Sequence, residues 1–388
     1  MQRGTFQQMK SVNKSIILNK IRTGAPISRA QIAKETKLTP PTVSSIVKEL
    51  IEQGIVNESK LGESQGGRKP TMLLINSSAF YVIGVDAGPE TVECILADLS
   101  GKVIERTVNN IDTSITNEHF LSILKEGIHH ILEVSNLVHE KILGIGVAMH
   151  GVVDVETGTS LIAPNLNLID IPIKDEIEKA FGLLVKVEND ARAMALGEYW
   201  FGGHGELDSM AAVNIGRGVG AGVVIKGKLY HGAQDLAGEL GHMTIDLHGE
   251  VCTCGNRGCL QTFATGTAIA DRAGKTIKDH TDTLTGEEVY LQAQSGNEAY
   301  MKILQETGEI IGIGLTNFIH LMNPMKIVLG GGVMKSEKIL LPSLKQTIDQ
   351  RVLTPAARQT EVAVTKLGDD ATLLGAVSLL LVELFDPV

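Results

Sequence analysis

The sequence lacks any uninterrupted apolar run near the ~18 residues that a membrane-spanning helix needs. Its opening, MQRGTFQQMKSVNKS, also lacks the apolar segment of a secretory signal. Together these absences predict a cytoplasmic protein. Cysteine is scarce, with four residues in 388, and three of the four fall within eight positions. In a reducing compartment such a cluster suits metal ligation better than disulfides, and it leaves Cys94 as a buried thiol.

Charge of both signs is present but unevenly distributed. Residues 1–76 carry 12 Lys and Arg against 5 Asp and Glu, a net charge of +7, and the remainder carries 23 against 40, a net charge of −17. The length, with 43% hydrophobic residues, predicts two or three domains. A basic amino-terminal module on an acidic body is typical of a nucleic-acid-binding domain joined to a domain with another role. The alternative is a merely solvated charged surface.

Three helices and a β-hairpin are predicted in the basic segment. The first helix covers Val12–Thr23, and Ser28 and Thr39 are the predicted amino-terminal caps of the next two. The third helix is the clearest, because its apolar residues recur at helical spacing: Val43, Ile46, Val47, Leu50 and Ile51. Strands at Ile55–Ser59 and Thr71–Ile75 follow, around a basic tip. This order predicts a winged helix-turn-helix, a DNA-binding domain whose later helix lies in the major groove.

Candidate DNA contacts lie on the third helix and in the wing. Small hydroxyl side chains permit close approach to base edges, and a lysine adds a salt-sensitive phosphate contact. The candidates on the helix are Thr39, Thr42, Ser44, Ser45 and Lys48. In the wing, Arg68 follows two glycines and is predicted to enter a narrow minor groove. The alternatives are a helical bundle that contacts another protein and a flexible basic loop between domains.

A metal site is predicted in the string GHMTIDLHGEVCTCGNRGCLQ. The spacing of His242, Cys252, Cys254 and Cys259 can close three thiolates and one imidazole around a single zinc ion. With all four ligands supplied by protein, no position stays open for a reactive water. The prediction is therefore a structural zinc loop over residues 242–259.

Beyond residue 76 the pattern changes to strands, glycine-rich turns and helices. The motifs GVDAG, APNLN, VENDA, GRGVGAG, AGELGH, CTCGNRGC and IVLGGGV occur in that order. Together they resemble the ROK family (repressors, open reading frames and sugar kinases). With a winged helix attached, the chain further resembles the repressor branch, most closely its xylose-repressor-like members. The resemblance implies an α/β fold, in which a winged helix-turn-helix domain (1–76) precedes a two-lobed, actin-like and ribonuclease-H-like sugar-binding domain (77–388) with the zinc loop.

The resemblance also implies a sugar site. By matching motifs it would be lined by Asn165, Asn189, Asp190, Glu239 and His242, whose imidazole would bind zinc with one nitrogen and a sugar hydroxyl with the other. Gln261 stands where family members usually have a glutamate that contacts the sugar. A neutral amide can donate where a carboxylate only accepts, so this difference predicts a changed sugar preference. The alternative for each polar residue is a helix cap or a satisfied buried group.

In the kinases of this family Asp190 would be the general base, and glycine-rich loops would hold the ATP phosphates. The family's first loop is Asp-x-Gly-Gly-Thr-Lys, whereas this chain has Asp86-Ala87-Gly88-Pro89-Glu90-Thr91. Pro89 removes a backbone donor and Glu90 adds a negative charge, and both changes oppose ATP binding. In the second loop, Arg217 can still attract an anion. Gly330-Gly331-Gly332 fits either a nucleotide contact or a tight turn, and the turn is favoured.

The sequence therefore predicts a sugar sensor that is not an enzyme. A homodimer would bind operator DNA, and a sugar effector, xylose or another aldose, would release it. One alternative is an ATP-dependent sugar kinase with an attached DNA-binding domain. The other is a constitutive DNA-binding protein whose cleft binds a sugar-transport component.

Overall fold

The computed structural model describes residues 12–61, 70–111, 115–205, 207–277 and 284–385. The chain divides into two compact units, one of residues 1–188 with 376–388 and the other of residues 189–375. Among the described residues, no helix is both long enough and apolar enough to cross a membrane.

The first unit begins with three helices and a three-stranded sheet of order β1-β3-β2. These elements are α1 (Val12–Gly24), β1 (Ile27–Ser28), α2 (Arg29–Thr36), α3 (Pro40–Glu52), β2 (Val56–Leu61) and β3 (Thr71–Ile75). The predicted caps are confirmed, since Ser28 accepts a hydrogen bond from the Gln31 amide and Thr39 accepts one from the Thr42 amide. The predicted apolar face of α3 buries Val43, Val47 and Leu50 completely, and it leaves Ile46 and Ile51 half-buried.

The rest of the first unit surrounds a five-stranded sheet of order β11-β7-β4-β5-β6 and a small sheet of order β10-β9-β8. Its elements are β4 (Tyr81–Ala87), β5 (Thr91–Asp98), β6 (Val103–Asn110), α4 (Asn117–Ser135), β7 (Ile142–Met149), β8 (Val152–Asp154), β9 (Thr159–Ala163), β10 (Leu168–Ile171), α5 (Ile173–Phe181) and β11 (Val185–Asn189). Helix α4 packs on β5 so closely that a Cβ at Gly127 would lie 2.8 Å from Cys94 Sγ. Cys94 is buried as predicted, and burial raises the pKa of its thiol to about 12.

The second unit has a five-stranded sheet of order β14-β13-β12-β15-β16. Its elements are α6 (Asp190–Phe201), β12 (Ser209–Ile215), β13 (Val219–Ile225), β14 (Lys228–Leu229), α7 (Gln261–Ala264), α8 (Gly266–Thr276), α9 (Gly286–Gln294), α10 (Glu298–Met322), β15 (Lys326–Gly330), α11 (Glu337–Arg351), β16 (Glu361–Val364) and α12 (Ala371–Phe385), the last of which continues into the first unit. Helix α6 lies directly on β13, because a Cβ at Gly222 would lie 2.7 Å from the Ala191 carbonyl oxygen.

The two five-stranded sheets repeat one design. In each, three consecutive strands form an antiparallel meander, and the fourth strand in sequence lies parallel to the first. The order within each sheet is therefore third, second, first, fourth and fifth. Such duplication is what the predicted two-lobed α/β fold requires.

Candidate functional site

Four predicted metal ligands lie together in the second unit. Their ligand atoms all lie within 4.8 Å of one another. The Sγ atoms of Cys254 and Cys259 are 3.7 Å apart, and so are Cys252 Sγ and His242 Nδ1. A tetrahedral zinc ion with bonds of about 2.3 Å to sulfur separates neighbouring ligand atoms by about 3.8 Å. The donor set and its spacing therefore fit a zinc ion bound by protein alone.

The glycines of the zinc loop are required by backbone crowding. Gly258 has a φ of 66°, and a Cβ there would lie 1.5 Å from the Asp246 carbonyl oxygen. Short antiparallel bridges join Thr244 to Cys259 and Val251 to Arg257. The loop thus folds back on itself and brings the three cysteines close to His242.

The thiols of the loop differ in acidity. Burial opposes ionisation of Cys252, but hydrogen bonds from the backbone and side chain of Cys254 and from His242 outweigh it and lower its pKa to about 6. Burial and the neighbouring sulfurs raise the pKa of Cys259 to about 12. One thiolate is therefore available first, and metal binding would have to displace the remaining thiol protons.

Gln261 lies against this metal site. Its side-chain amide nitrogen is 3.1 Å from Cys252 Sγ and 3.3 Å from Thr253 Oγ1. An amide N–H stabilises a thiolate, whereas a carboxylate at this position would repel it. The structure thus places the Gln261 amide against a predicted metal ligand, and a sugar contact by Gln261 stays a prediction.

Two of the predicted sugar residues form the start of helix α6. Asn189 Oδ1 accepts hydrogen bonds from the amides of Ala191 and Arg192, so this side chain caps the helix. Its Nδ2 donates to Asp190 Oδ1 over 2.9 Å. The cap therefore fixes the direction of the Asp190 carboxylate. Asn189 is therefore a helix cap, which is one of the two roles considered for it from the sequence. A contact between Asn189 and a sugar stays a prediction.

Glu239 and His242 form the neighbouring part of the site. Glu239 Oε2 is 3.9 Å from His242 Nε2, so the ring nitrogen that is not directed at Cys252 is near this carboxyl. Burial raises the pKa of Glu239, the Asp190 carboxylate acts in the same direction, and His242 and Arg192 oppose both. The arrangement offers carboxylate and imidazole groups of the kind that bind sugar hydroxyls.

Arg192 is a residue that the sequence reasoning missed. Its side chain is buried, and Nη1 donates to the Asp235 carbonyl oxygen over 2.5 Å. Its charge also acts on Glu239. The signal available in the sequence was an arginine in the first turn of a helix, directly after a buried strand.

Asn165, the remaining predicted sugar residue, belongs to the first unit. It is exposed in the turn between β9 and β10, where the Leu166 amide donates to the Ala163 carbonyl oxygen. A turn at the surface leaves its amide side chain accessible to a ligand. Its contact with sugar stays a prediction.

The predicted DNA contacts of α3 lie mainly on its exposed side. Thr39, Ser44, Ser45 and Lys48 are exposed, and Thr42 is half-buried. The Thr39 and Thr42 hydroxyls are 2.8 Å apart, so both take part in the cap of α3. Inside the domain, Lys14 of α1 is buried and pairs with Glu49 of α3 over 2.5 Å, which holds the helix in place. Arg68 lies outside the described residues.

The glycine-rich segments are tight turns. The Gly88 amide donates to the Thr91 carbonyl oxygen over 3.0 Å, so this N–H closes the β4–β5 hairpin. In the second loop, the Gly216 amide donates to the Gly218 carbonyl oxygen over 2.9 Å. Gly331 has a φ of 88°, and a Cβ there would lie 2.4 Å from Asn214 Oδ1. Gly331 is therefore required by the turn, and the absence of a nucleotide contact in this third segment stays a prediction.

Comparison with known proteins gave matches to both parts of the chain. The family model described as ROK family matches residues 82–383, and a model for winged helix-turn-helix DNA-binding matches residues 16–57. The xylose repressor of Caldicellulosiruptor bescii is 32% identical over 391 residues, which cover 98% of each chain. The division predicted between residues 76 and 77 lies between the two model matches and stays a prediction.

Solved structures match as well. The crystal structure of a ROK family transcriptional regulator, a homologue of the E. coli MLC protein, aligns with a TM-score of 0.86 at 30% identity, over 98% of this chain and 97% of that one. A ROK family glucokinase from Streptomyces griseus, in complex with glucose and AMPPNP, aligns with a TM-score of 0.68 at 27% identity, over 77% of this chain and 98% of the kinase.

Proposed function

Because the chain belongs to the ROK family, we propose that it is a sugar-responsive transcriptional repressor, which binds operator DNA and releases it when a sugar binds. One observation carries the proposal: a winged helix and a ROK body occur in one chain that a xylose repressor matches over nearly its full length. Xylose, or another aldose, is the proposed effector.

The winged helix would provide the operator contacts. Thr42, Ser44 and Ser45 would face base edges, and Lys48 would contact a phosphate. A homodimer would present two such helices to the half-sites of a palindromic operator. The basic charge of residues 1–76 supports this role, since phosphate neutralisation supplies much of the affinity for DNA.

The effector would be bound by side chains that form hydrogen bonds with hydroxyl groups. Asp190, Glu239 and His242 Nε2 lie together in the second unit, where the Asn189 cap directs Asp190. Asn165 is a further proposed sugar contact. The sugar and the operator would then favour different arrangements of the protein, and a coupling of about 1–3 kcal/mol would change operator affinity about 5- to 150-fold.

Zinc would be structural in this scheme. His242, Cys252, Cys254 and Cys259 would hold it, and a site closed by four protein ligands supplies rigidity and no reactive water. His242 would bind the metal through Nδ1, which fixes its ring so that Nε2 faces the effector beside Glu239. Occupancy of the metal site would therefore influence sugar affinity.

Helix α12 offers a route from the body to the winged helix. It begins at Ala371 in the second unit and ends at Phe385 in the first. There the guanidinium of Arg22, on α1, lies 5.9 Å from the centre of the Phe385 ring. This cation–π contact would let a displacement of α12 act on the DNA-binding domain.

A sugar kinase is the second candidate function. The retained Asp190, which would be the general base, and the likeness to the glucokinase favour it. Against it, the Gly88 amide is used within the hairpin, Pro89 has no amide hydrogen, and Glu90 would lie near the phosphates. We therefore propose that the chain does not act as a kinase.

One titration tests these proposals together. An electrophoretic mobility shift on the DNA upstream of the chain's own gene is measured with pentoses, hexoses and their phosphates. Release by one neutral aldose is the expected result. Release that needs a transporter domain instead of a sugar would contradict it, and rapid ATP consumption with a sugar in a coupled assay would favour the kinase.

A further inference from the structure

His150 presents a buried nitrogen that no described residue satisfies. It follows the last residue of β7, and only 6% of its surface is exposed. Its Nδ1 lies 3.0 Å from the Ala87 carbonyl oxygen. A carbonyl oxygen only accepts, so Nδ1 carries the hydrogen of this bond. In the neutral ring, Nε2 is then a lone-pair acceptor, and it has no partner among the described residues.

An acceptor of this kind is uncommon in a folded protein. About nine in ten buried polar atoms have a hydrogen-bond partner. Where the protein itself offers none, an ordered water or a bound ligand commonly supplies the missing donor. The position of His150 favours a ligand over water.

His150 lies at the edge of the sheet where two parallel strands end. Strands β4 and β7 are paired in parallel, with Ala87 opposite Met149. Ala87 and His150 therefore both lie where these two strands reach their carboxyl ends. Ligands of α/β proteins bind at this edge of a parallel sheet. Here it includes the turn at Gly88 and Pro89 that replaces the family's first phosphate loop.

Gly151, the residue after His150, lies against the segment that leads to Asn165. Gly151 has a φ of 90°, and a Cβ there would lie 2.1 Å from the Ile162 carbonyl oxygen and 3.0 Å from Pro164 Cδ. The residue after His150 therefore contacts the segment 162–164, which directly precedes Asn165. Both belong to the same unit, so this relation does not depend on how the two units are arranged.

We propose that His150 Nε2 accepts a hydrogen bond from a hydroxyl group of the sugar effector and thereby helps to determine which sugar binds. This inference rests on the proposed function and adds a residue to its site. A neutral acceptor discriminates by chemistry: it favours a hydroxyl and disfavours a carboxylate or phosphate at the same place. The proposed contact would therefore favour an aldose with a free hydroxyl beside His150.

The test separates the two nitrogens of the ring. In His150→Asn the amide nitrogen can still donate to the Ala87 carbonyl, but nothing replaces Nε2. We expect this variant to bind the effector about three- to tenfold more weakly, the loss of one hydrogen bond, with unchanged operator affinity in the absence of sugar. His129→Asn is the matched control, because His129 is exposed on α4. Calorimetry measures the sugar affinity of all three proteins.

A set of monodeoxy analogues of the effector identifies the hydroxyl. One analogue should bind the wild-type protein more weakly than the effector does. This analogue should bind the wild-type protein and His150→Asn equally well, because the same hydrogen bond is missing from both complexes. Ring-nitrogen NMR of the histidine-labelled wild-type protein is an independent readout if the variant does not fold. The Nε2 resonance of His150 should shift when sugar saturates the protein, while the Nδ1–H signal persists.

The outcomes are distinguishable. If wild-type protein binds a sugar and neither His150→Asn nor the Nε2 resonance responds, the nitrogen is satisfied by water and the inference is wrong, while the proposed function stands. If the wild-type protein binds no sugar of the panel, the proposed function fails and the inference fails with it.

Discussion

If the predicted zinc site is occupied, the contact between Gln261 and Cys252 determines how strongly zinc is bound. The amide nitrogen lies 3.1 Å from the sulfur, and the thiolate would be its acceptor once metal is bound. Replacement of Gln261 by alanine removes this hydrogen bond without adding a negative charge that would repel the thiolate. A hydrogen bond to a charged group contributes about 1.5–3 kcal/mol. Because Gln261 is half-buried, we use the lower value. The Gln261→Ala variant should therefore bind zinc about tenfold more weakly.

Gln261→Glu should weaken zinc binding further. The substitution removes the donor and places a carboxylate about 3 Å from a thiolate, a repulsion of about 1.4 kcal/mol even at the dielectric constant of water. The total, about 2.9 kcal/mol, corresponds to about 130-fold, just above the usual range for groups that support metal ligands. Competition with a chromogenic chelator measures the zinc affinity of each variant.

The control is Gln292→Glu, which makes the same charge change at an exposed position of α9. It should bind zinc as wild type does. Equal zinc affinities for Gln261→Glu and Gln261→Ala would mean that the glutamate turns away from the sulfur. Equal affinities for Gln261→Glu and wild type would refute the reasoning.

Three further predictions concern coupling and DNA. Cys254→Ser should lose zinc and weaken repression while the winged helix stays folded, as metal analysis, reporter expression and circular dichroism can check; normal repression in a metal-free variant would contradict it. Lys48→Gln should weaken operator and non-specific DNA alike and should reduce the salt dependence of binding by about one unit of slope; a loss confined to one sequence would instead indicate a base contact. Phe385→Ala should retain sugar affinity by calorimetry but reduce the effect of sugar on operator binding, since it removes the ring beside Arg22; an unchanged mobility-shift titration would exclude this route.

Features that depend on neighbouring residues were predictable. Ser28 and Thr39 act as caps because each hydroxyl accepts a hydrogen bond from the amide three residues later, and this contact depends only on the local chain. The spacing of the three cysteines and His242 likewise restricts the loop to a geometry that one metal ion can close. The apolar stripe of α3 follows from helical periodicity.

Roles that depend on side-chain direction were not predictable. The motif around Asn189 is compatible with either a sugar contact or a cap, and only the folded helix directs its oxygen to the Ala191 and Arg192 amides. The contact of Gln261 with a sugar stays a prediction, and the sequence did not indicate that its amide meets Cys252, nine residues earlier in the chain. Such choices are made by competing hydrogen bonds whose distances the sequence does not contain.

By itself, therefore, the sequence determined the helices of the winged domain, the four residues that could hold a metal ion and the family of the body, because each depends on local spacing or on an ordered set of motifs. Only the tertiary structure decided which polar atoms are already satisfied. His150 illustrates the difference: its bond to Ala87 joins residues 63 positions apart at the ends of two parallel strands, and its Nε2 has no partner among the described residues. A buried atom acquires a partner, or fails to, through packing, and packing is a property of the folded chain.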